Sequence, residues 1–154
     1  MKEQRNFRSF MSIALHEARA AAERGEVPVG AVVVLEGRVI AREGNRTRQM
    51  RDPTAHAEML AIRAACRVLA SERLVGADMF VTLEPCPICA GAISAARVAR
   101  LYYGASDPKS GGVAVGARVF SHPQCHHVPE VYDGIAATEA EALLKGFFEG
   151  RRRA

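Results

Sequence analysis

The sequence predicts an α/β fold in which helices cover both faces of a central mixed sheet. Three observations carry that prediction. Residues 30–35 (GAVVVL) form a β-branched run, followed at once by a tight Glu36-Gly37 turn and a second short run, which is the pattern of a hairpin. Beyond it, helical and extended patterns alternate as far as Tyr103, and strand–helix–strand alternation implies parallel pairing with the helices packed on the sheet. Amphipathic helices open and close the chain, supplying apolar stripes that a sheet can bury.

In chain order, residues from about Phe7 to Arg24 place Phe10, Ala14, Leu15, Ala18 and Ala22 at helical spacing, and Gly25 ends that helix. Gly30 to Leu35 reads as a buried strand, because β-branched side chains suit a covered pleated surface, and Arg38 to Arg42 returns beside it. The polar stretch Asn45 to Thr54 holds Asp52-Pro53 and reads as a loop. Ala55 to Leu69 is helical, with Met59, Ile62, Ala65, Cys66 and Leu69 on one side. Ala77 to Leu83 reads as a strand and Pro87 to Arg97 as a short helix, whose first turn suits a residue without an N–H. Val98 to Tyr103 is another strand, and the Gly-, Ser- and Pro-rich stretch from Gly104 to Pro123 is expected to be mostly loop. Val128 to Tyr132 is a candidate last strand, and Thr138 to Gly150 closes the chain as a helix. With no linker, repeat or low-complexity segment, residues 1–154 are expected to form a single domain.

Composition bounds the function. Apolar residues make up 49% and charged residues 25% of the chain, enough for a core without disulfide staples. The longest apolar stretch, around Val29 to Leu35, is far too short to cross a bilayer, and the first residues lead into no signal-peptide run. A cytoplasmic protein with no membrane partner is the expectation. The formal charge of +4 permits a nucleic-acid partner, and Arg151, Arg152 and Arg153 concentrate basic charge at one end. Of the four cysteines, Cys86 and Cys89 form a Cys-x-x-Cys pair, which in a cytoplasmic chain reads first as a metal or redox site.

Two segments carry the chemistry, His56-Ala57-Glu58 and Pro85-Cys86-Pro87-Ile88-Cys89, and each begins a predicted helix. Zinc favours imidazole and thiolate ligands, and a helix N-terminus favours the thiolate form. His56, Cys86 and Cys89 supply three ligands and leave one position open, the pattern of a catalytic rather than a structural zinc. Water in that position would have its pKa lowered to about 7, and Glu58 is the candidate general acid and base. His56 and Glu58 stand two residues apart and would diverge on an ideal helix. Both reach one site only from an irregular first turn.

The combination His56-x-Glu58 and Pro85-Cys86-x-x-Cys89 resembles the signature of zinc nucleobase deaminases. Along most of its length the chain further resembles the bacterial tRNA adenosine deaminases. The matching runs are Glu26 to Ala31, Asn45-Arg46, Asp52 to Glu58, Val81 to Cys86, Tyr103 to Gly111, and Phe147-Phe148 near the basic end. The resemblance implies a three-layer α/β/α cytidine-deaminase-like fold with a five-stranded mixed sheet. It implies one Zn2+ per subunit and a homodimer whose RNA site draws on both subunits. The activity it implies is hydrolytic deamination of adenosine to inosine at the wobble position of a tRNA anticodon, arginine tRNA foremost.

Residue roles follow from the same resemblance. Asn45, by composition a plain turn residue, becomes a ligand to the purine edge, and Val29 part of the apolar wall beneath it. The backbone of Ala57, Glu84 and Pro85 would fix the base edge. Asp107 and Lys109 fall at the pocket rim, and His122 near the substrate strand. Phe147 and Phe148 read first as core, with Phe148 also a candidate contact for a neighbouring nucleotide. Arg151, Arg152 and Arg153 become candidate phosphate contacts for the tRNA anticodon stem-loop. Cys66 reads as a core residue, and Cys125, His126 and His127 as ordinary core and surface residues, since the run lacks the pair-plus-pair spacing of a second metal cluster. Three alternatives remain: a guanine or cytosine deaminase acting on a free base, a non-enzymatic zinc-binding RNA module, and a redox protein. Pro87 between the cysteines resembles the guanine deaminases, while Glu58 and the open ligand position stand against the non-enzymatic module.

Overall fold

The computed structural model describes residues 2–153, with side chains described over residues 10–151. In order the elements are α1 (Lys2–Glu23), β1 (Gly30–Leu35), β2 (Arg38–Gly44), α2 (Thr47–Met50), α3 (Ala57–Leu69), β3 (Asp78–Leu83), α4 (Pro87–Ala95), β4 (Arg100–Ala105), β5 (Glu130–Tyr132) and α5 (Ala137–Arg153). The five strands lie in the order β2-β1-β3-β4-β5. β1 is antiparallel to both β2 and β3, whereas β3, β4 and β5 run parallel. The sheet is therefore mixed, with the hairpin at one edge, as the sequence predicts. Glu36 and Gly37 both take positive φ, 51° and 76°, the conformation a two-residue hairpin turn demands.

Alternation along each strand sorts the core into two layers, because successive side chains point to opposite faces. Ala31, Val33, Met79, Val81, Leu101 and Tyr103 meet α3 and α4 through Ala57, Ala61, Ile62, Ala65, Ala90 and Ile93. Val32, Val34, Phe80 and Tyr102 meet α1 and α5 through Met11, Ala14, Leu15 and Ala140. On this second face Phe80 and Tyr102 stack at 4.5 Å, and Tyr102 and Tyr132 at 4.9 Å. Each fully buried aromatic of this kind contributes about 1.5–3 kcal/mol.

Several boundaries depart from expectation for physical reasons. The buried stripe of α1 runs through Met11, Ala14, Leu15, Ala18 and Ala21, while Ala22 is half-buried. The stripe turns toward Ala21 because that side of α1 lies against Gly44, whose added Cβ would fall 2.7 Å from the Glu17 carbonyl oxygen. Within the predicted 45–54 loop, Thr47–Met50 forms a helical turn. Its cause is the buried Glu26 carboxylate, which accepts the N–H groups of Arg48 (3.1 Å) and Gln49 (2.9 Å) and so satisfies first-turn donors. α3 begins at Ala57 rather than Ala55, because His56 is extended (φ −71°, ψ 153°). β5 begins at Glu130, directly after Pro129, which has no N–H to give the ladder. β4 runs on through Gly104 and Ala105, and the 106–123 stretch is irregular as expected, apart from a 3-10 turn at Val119–Ser121.

Candidate active site and metal centre

The candidate metal ligands come from the starts of two helices on the same face of the sheet. His56 stands just before α3, and Cys86 just before α4, also extended (φ −71°, ψ 171°). Cys89 sits buried in the first turn of α4, which Pro87 opens. His56 Nδ1 lies 3.3 Å from Cys89 Sγ and 3.5 Å from Cys86 Sγ. Tetrahedral zinc with ordinary Zn–N and Zn–S bonds sets its nitrogen and sulfur ligands about 3.5 Å apart, so the donor set fits that ion in both chemistry and spacing. Among the described residues, this is the one group of three metal-ligating side chains whose donor atoms converge.

The extended backbone at His56 answers the geometric question posed by its sequence distance from Glu58. Because His56 precedes the helix, its ring turns away from helical register, and Glu58, in the first turn of α3, reaches the same place from inside.

The electrostatics suit a metal site. The Cys86 sulfur accepts from the Cys89 thiol and from His56, which pulls its pKa down to about 4. Cys89 is pushed up by donating to Cys86 and by burial. Without metal the two sulfurs thus share one proton, which a bound cation would release. His56 is raised chiefly by its Cys86 partner. Glu58, only 4% exposed, is raised by burial to about 7.

His56, Cys86 and Glu58 open onto one pocket of about 240 Å³, lined also by Val27, Val29, Asn45, Thr47, Ala57, Leu83, Glu84, Asp107 and Ser110. Asn45 joins it from the end of β2. Its N–H donates to the Val29 carbonyl (3.1 Å), and its own carbonyl accepts from Arg24 Nη2 (3.2 Å). Its side-chain Oδ1 is the one buried polar side-chain atom without a partner among the described residues. A pocket-lining amide held by its backbone, with a side-chain oxygen that has no partner in the protein, is a ready contact for a polar ligand. Ala57 is the first residue of α3, so its N–H belongs to the turn that has no intrahelical partner.

Residues 4–105 match the family model described as the cytidine and deoxycytidylate deaminase zinc-binding region. The chain belongs to the cytidine and deoxycytidylate deaminase family. A curated relative from Agrobacterium fabrum, named tRNA-specific adenosine deaminase, is 62% identical over 93% of this chain and 94% of its own length. A second of that name, from Bacillus subtilis, is 42% identical over 94% of this chain and 89% of its own. A solved structure from a study of A-to-I editing by tRNA:A34 deaminases at the wobble position of transfer RNA superposes with a TM-score of 0.87. It is 62% identical and covers 88% of this chain and 99% of that one. A guanine deaminase structure from Bacillus subtilis superposes with a TM-score of 0.62 at 40% identity, covering 64% of this chain and 63% of that one.

In this deaminase the other sequence-predicted residues are spread over several places. Asp107 reaches the pocket wall, and its Oδ1 accepts the N–H groups of Lys109 and Ser110, which turns the loop. A second groove shares Val27, Leu83, Asp107 and Ser110 with the pocket and continues past Lys109, Leu144, Phe148 and Arg151. Lys109, Phe148 and Arg151 thus line one surface that runs outward from the pocket of Glu58. Phe148 is exposed, which corrects its reading as core, while Phe147 is half-buried beneath Arg151 at 4.7 Å. Arg151 also donates to the Gly25 carbonyl (2.8 Å), which ties α5 to the end of α1. The side chains of Arg152 and Arg153 lie outside the described residues.

His122 is not gathered into this surface. It lines a separate cavity with Gly91, Ala95, Val119 and His126. Cys125 and His127 have ordinary structural roles there. The Cys125 thiol and the Ser94 hydroxyl both donate to the His127 carbonyl, and the His127 ring pairs with the Val98 carbonyl at 2.7 Å. Cys66 is half-buried against the core, as its stripe implies.

Of the backbone expected to fix the base edge at Glu84 and Pro85, two groups have partners within the protein. The Glu84 N–H donates to Ala105 and the Pro85 carbonyl accepts from Gly112, so both groups already serve the protein's own loops. Two functional carboxylates escaped sequence reasoning: Glu26, which caps α2, and the Glu84 side chain, which gathers loop amides. Both stand inside runs that match the resembling family, so the signal was present, but nothing local names their partners.

Proposed function

We propose that this chain hydrolyses adenosine to inosine at the wobble position of a tRNA anticodon, arginine tRNA foremost, as a single zinc-dependent domain acting in a cytoplasmic homodimer. One observation carries the chemistry: the buried carboxyl of Glu58 shares a pocket with His56 and Cys86 of the ligand group and with Asn45, whose side-chain oxygen has no partner. The relatives' names support the substrate.

Zinc held by the three ligands would supply Lewis-acid activation of water near neutral pH. Every proton movement then falls to Glu58, a carboxyl buried in the same pocket as the ligand group. It takes one proton from the attacking water and delivers it to adenine N1 as the C6–O bond forms, then takes the second from the resulting C6 hydroxyl and gives it to the amino group as the C6–N bond breaks and ammonia leaves. Val29 packs beneath the base, while the Asn45 amide and the Ala57 N–H hold its edge. Because the target is read outside the stack, most of the binding energy must come from flanking nucleotides. The groove lined by Lys109, Phe148 and Arg151 offers those nucleotides charge and an exposed ring. None of the described helices is long and apolar enough to cross a membrane.

The test is a deamination assay on an anticodon stem-loop with A at the wobble position, run beside free guanine. Inosine in the stem-loop with untouched guanine is the expected result. Ammonia from guanine with an unmodified stem-loop would overturn the substrate while keeping the site chemistry, and would make Pro87 the decisive difference. A second expectation concerns the basic end. Removing residues 151–154 should weaken stem-loop binding and flatten its dependence on salt, by about one unit of log–log slope for each phosphate that is no longer neutralised. An unchanged slope in a titration across salt concentrations would remove the tail from the interface.

A further inference from the structure

We infer that the Glu84 carboxylate is a positioning residue for substrate: it holds both ends of the Ser106–Val115 loop against the segment that carries Cys86, and so sets the wall and rim of the pocket. The inference rests on the reading of that pocket as the adenosine site of a tRNA deaminase.

Glu84 follows β3 and is 2% exposed. Its Oε1 accepts from the Asp107 N–H (3.1 Å) and the Ser106 hydroxyl (3.3 Å), at the start of the loop. Its Oε2 accepts from the N–H groups of Val113 (3.1 Å), Ala114 (2.9 Å) and Val115 (3.4 Å), at the loop's end. Consecutive amides converging on one oxygen form an anion-binding nest, and here the anion is part of the chain itself. N–H donors facing both oxygens make the carboxylate a poor metal ligand and a good anchor.

The packing around this anchor has no slack. A Cβ on Gly111 would lie 2.7 Å from the Glu84 carboxyl carbon, and one on Gly112 would lie 2.6 Å from the Pro87 nitrogen. The Gly112 N–H donates to the Pro85 carbonyl at 2.8 Å. Loop, carboxylate and metal-ligand segment therefore form one packed unit. What that unit presents outward is Asp107 and Ser110 in the pocket wall and Lys109 in the adjoining groove. Glu58 and Asn45 are held by other elements, α3 and the β2–α2 junction. Loosening Glu84 thus acts on substrate binding more than on proton transfer.

The experiment is Glu84→Gln, which keeps the shape and turns one acceptor oxygen into a donor facing N–H groups. Amide hydrogen exchange, zinc content, and kcat and KM on the stem-loop are read together. The expected result is exchange at Asp107, Val113 and Ala114 faster by about tenfold or more, as buried hydrogen bonds are broken. Amides of β3 and β4 should be unchanged and one zinc per chain retained. KM should rise by about tenfold, with kcat within about threefold of wild type. If that variant does not fold, Glu84→Asp keeps the charge but shortens its reach, and should give intermediate exchange and KM. Unaltered exchange at the three amides would overturn the inference, as would a loss confined to kcat and zinc content with KM unmoved. A wild-type protein inactive on the stem-loop would instead overturn the substrate, while the exchange measurement would still decide the role of Glu84.

Discussion

Glu58→Ala is expected to lower kcat on the anticodon stem-loop by about 10⁴-fold, the upper range for loss of a general acid–base group, with one zinc per chain retained. The upper range applies because one carboxyl serves every proton transfer in the proposed reaction. Zinc should stay because the converging ligand atoms belong to His56, Cys86 and Cys89, and Glu58 is not among them. Folding should stay too. Burial raises the Glu58 pKa to about 7, so its charged form is disfavoured where it sits, and alanine suits the first turns of α3. The measurement is single-turnover deamination beside metal analysis of the same sample. A zinc-loaded variant with near wild-type turnover would take Glu58 out of the mechanism. Activity lost together with zinc would recast it as a ligand or a structural residue.

Gly30→Ala is expected to cost about 4 kcal/mol of stability, at the severe end of single substitutions, and roughly 10 °C in Tm. The new Cβ would lie 1.9 Å from the Ala14 carbonyl oxygen and 2.7 Å from the Ala18 nitrogen. These are backbone atoms of α1, so no rotamer change relieves the clash and the whole helix must lift from β1. With domain stabilities of about 5–15 kcal/mol, that is a large share. Function should fall with it, since Asn45 is held through its N–H to Val29, next to Gly30. Gly91→Ala is the control. It lies inside α4 with nothing within 4 Å of the added Cβ, and should be neutral or stabilising by about 0.5–1 kcal/mol. Thermal unfolding of the two zinc-loaded variants side by side checks the contrast. Equal Tm values would mean that α1 yields to the methyl group and that the close approach at Gly30 is not tight packing.

Much of the chemistry was legible in residue types at short spacing. His56-x-Glu58 and Cys86-x-x-Cys89 name a ligand set and a proton carrier before any fold is known, because zinc selects imidazole and thiolate wherever the chain brings them. The hairpin and the strand–helix alternation were legible too, since GAVVVL, the Glu36-Gly37 turn and the apolar stripes are local patterns. Periodicity also marked one face of α1, although only packing against Gly44 decided that Ala21 rather than Ala22 completes it.

What the sequence by itself determined, then, is which side chains are candidates for the chemistry and where the main helices and strands lie, because both follow from residue identity and near-neighbour spacing. What only the tertiary structure decided is how distant groups meet. His56 and Glu58 converge because His56 stops short of α3. Thr47–Met50 is helical because Glu26, more than twenty residues earlier, caps it. Glu84 meets the amides of Val113 to Val115 some thirty residues on, and Phe148 borders a groove that adjoins the pocket of Glu58. Such partners are set by sheet order and helix docking, and a hydrogen bond between residues far apart in sequence leaves no periodicity to read along the chain.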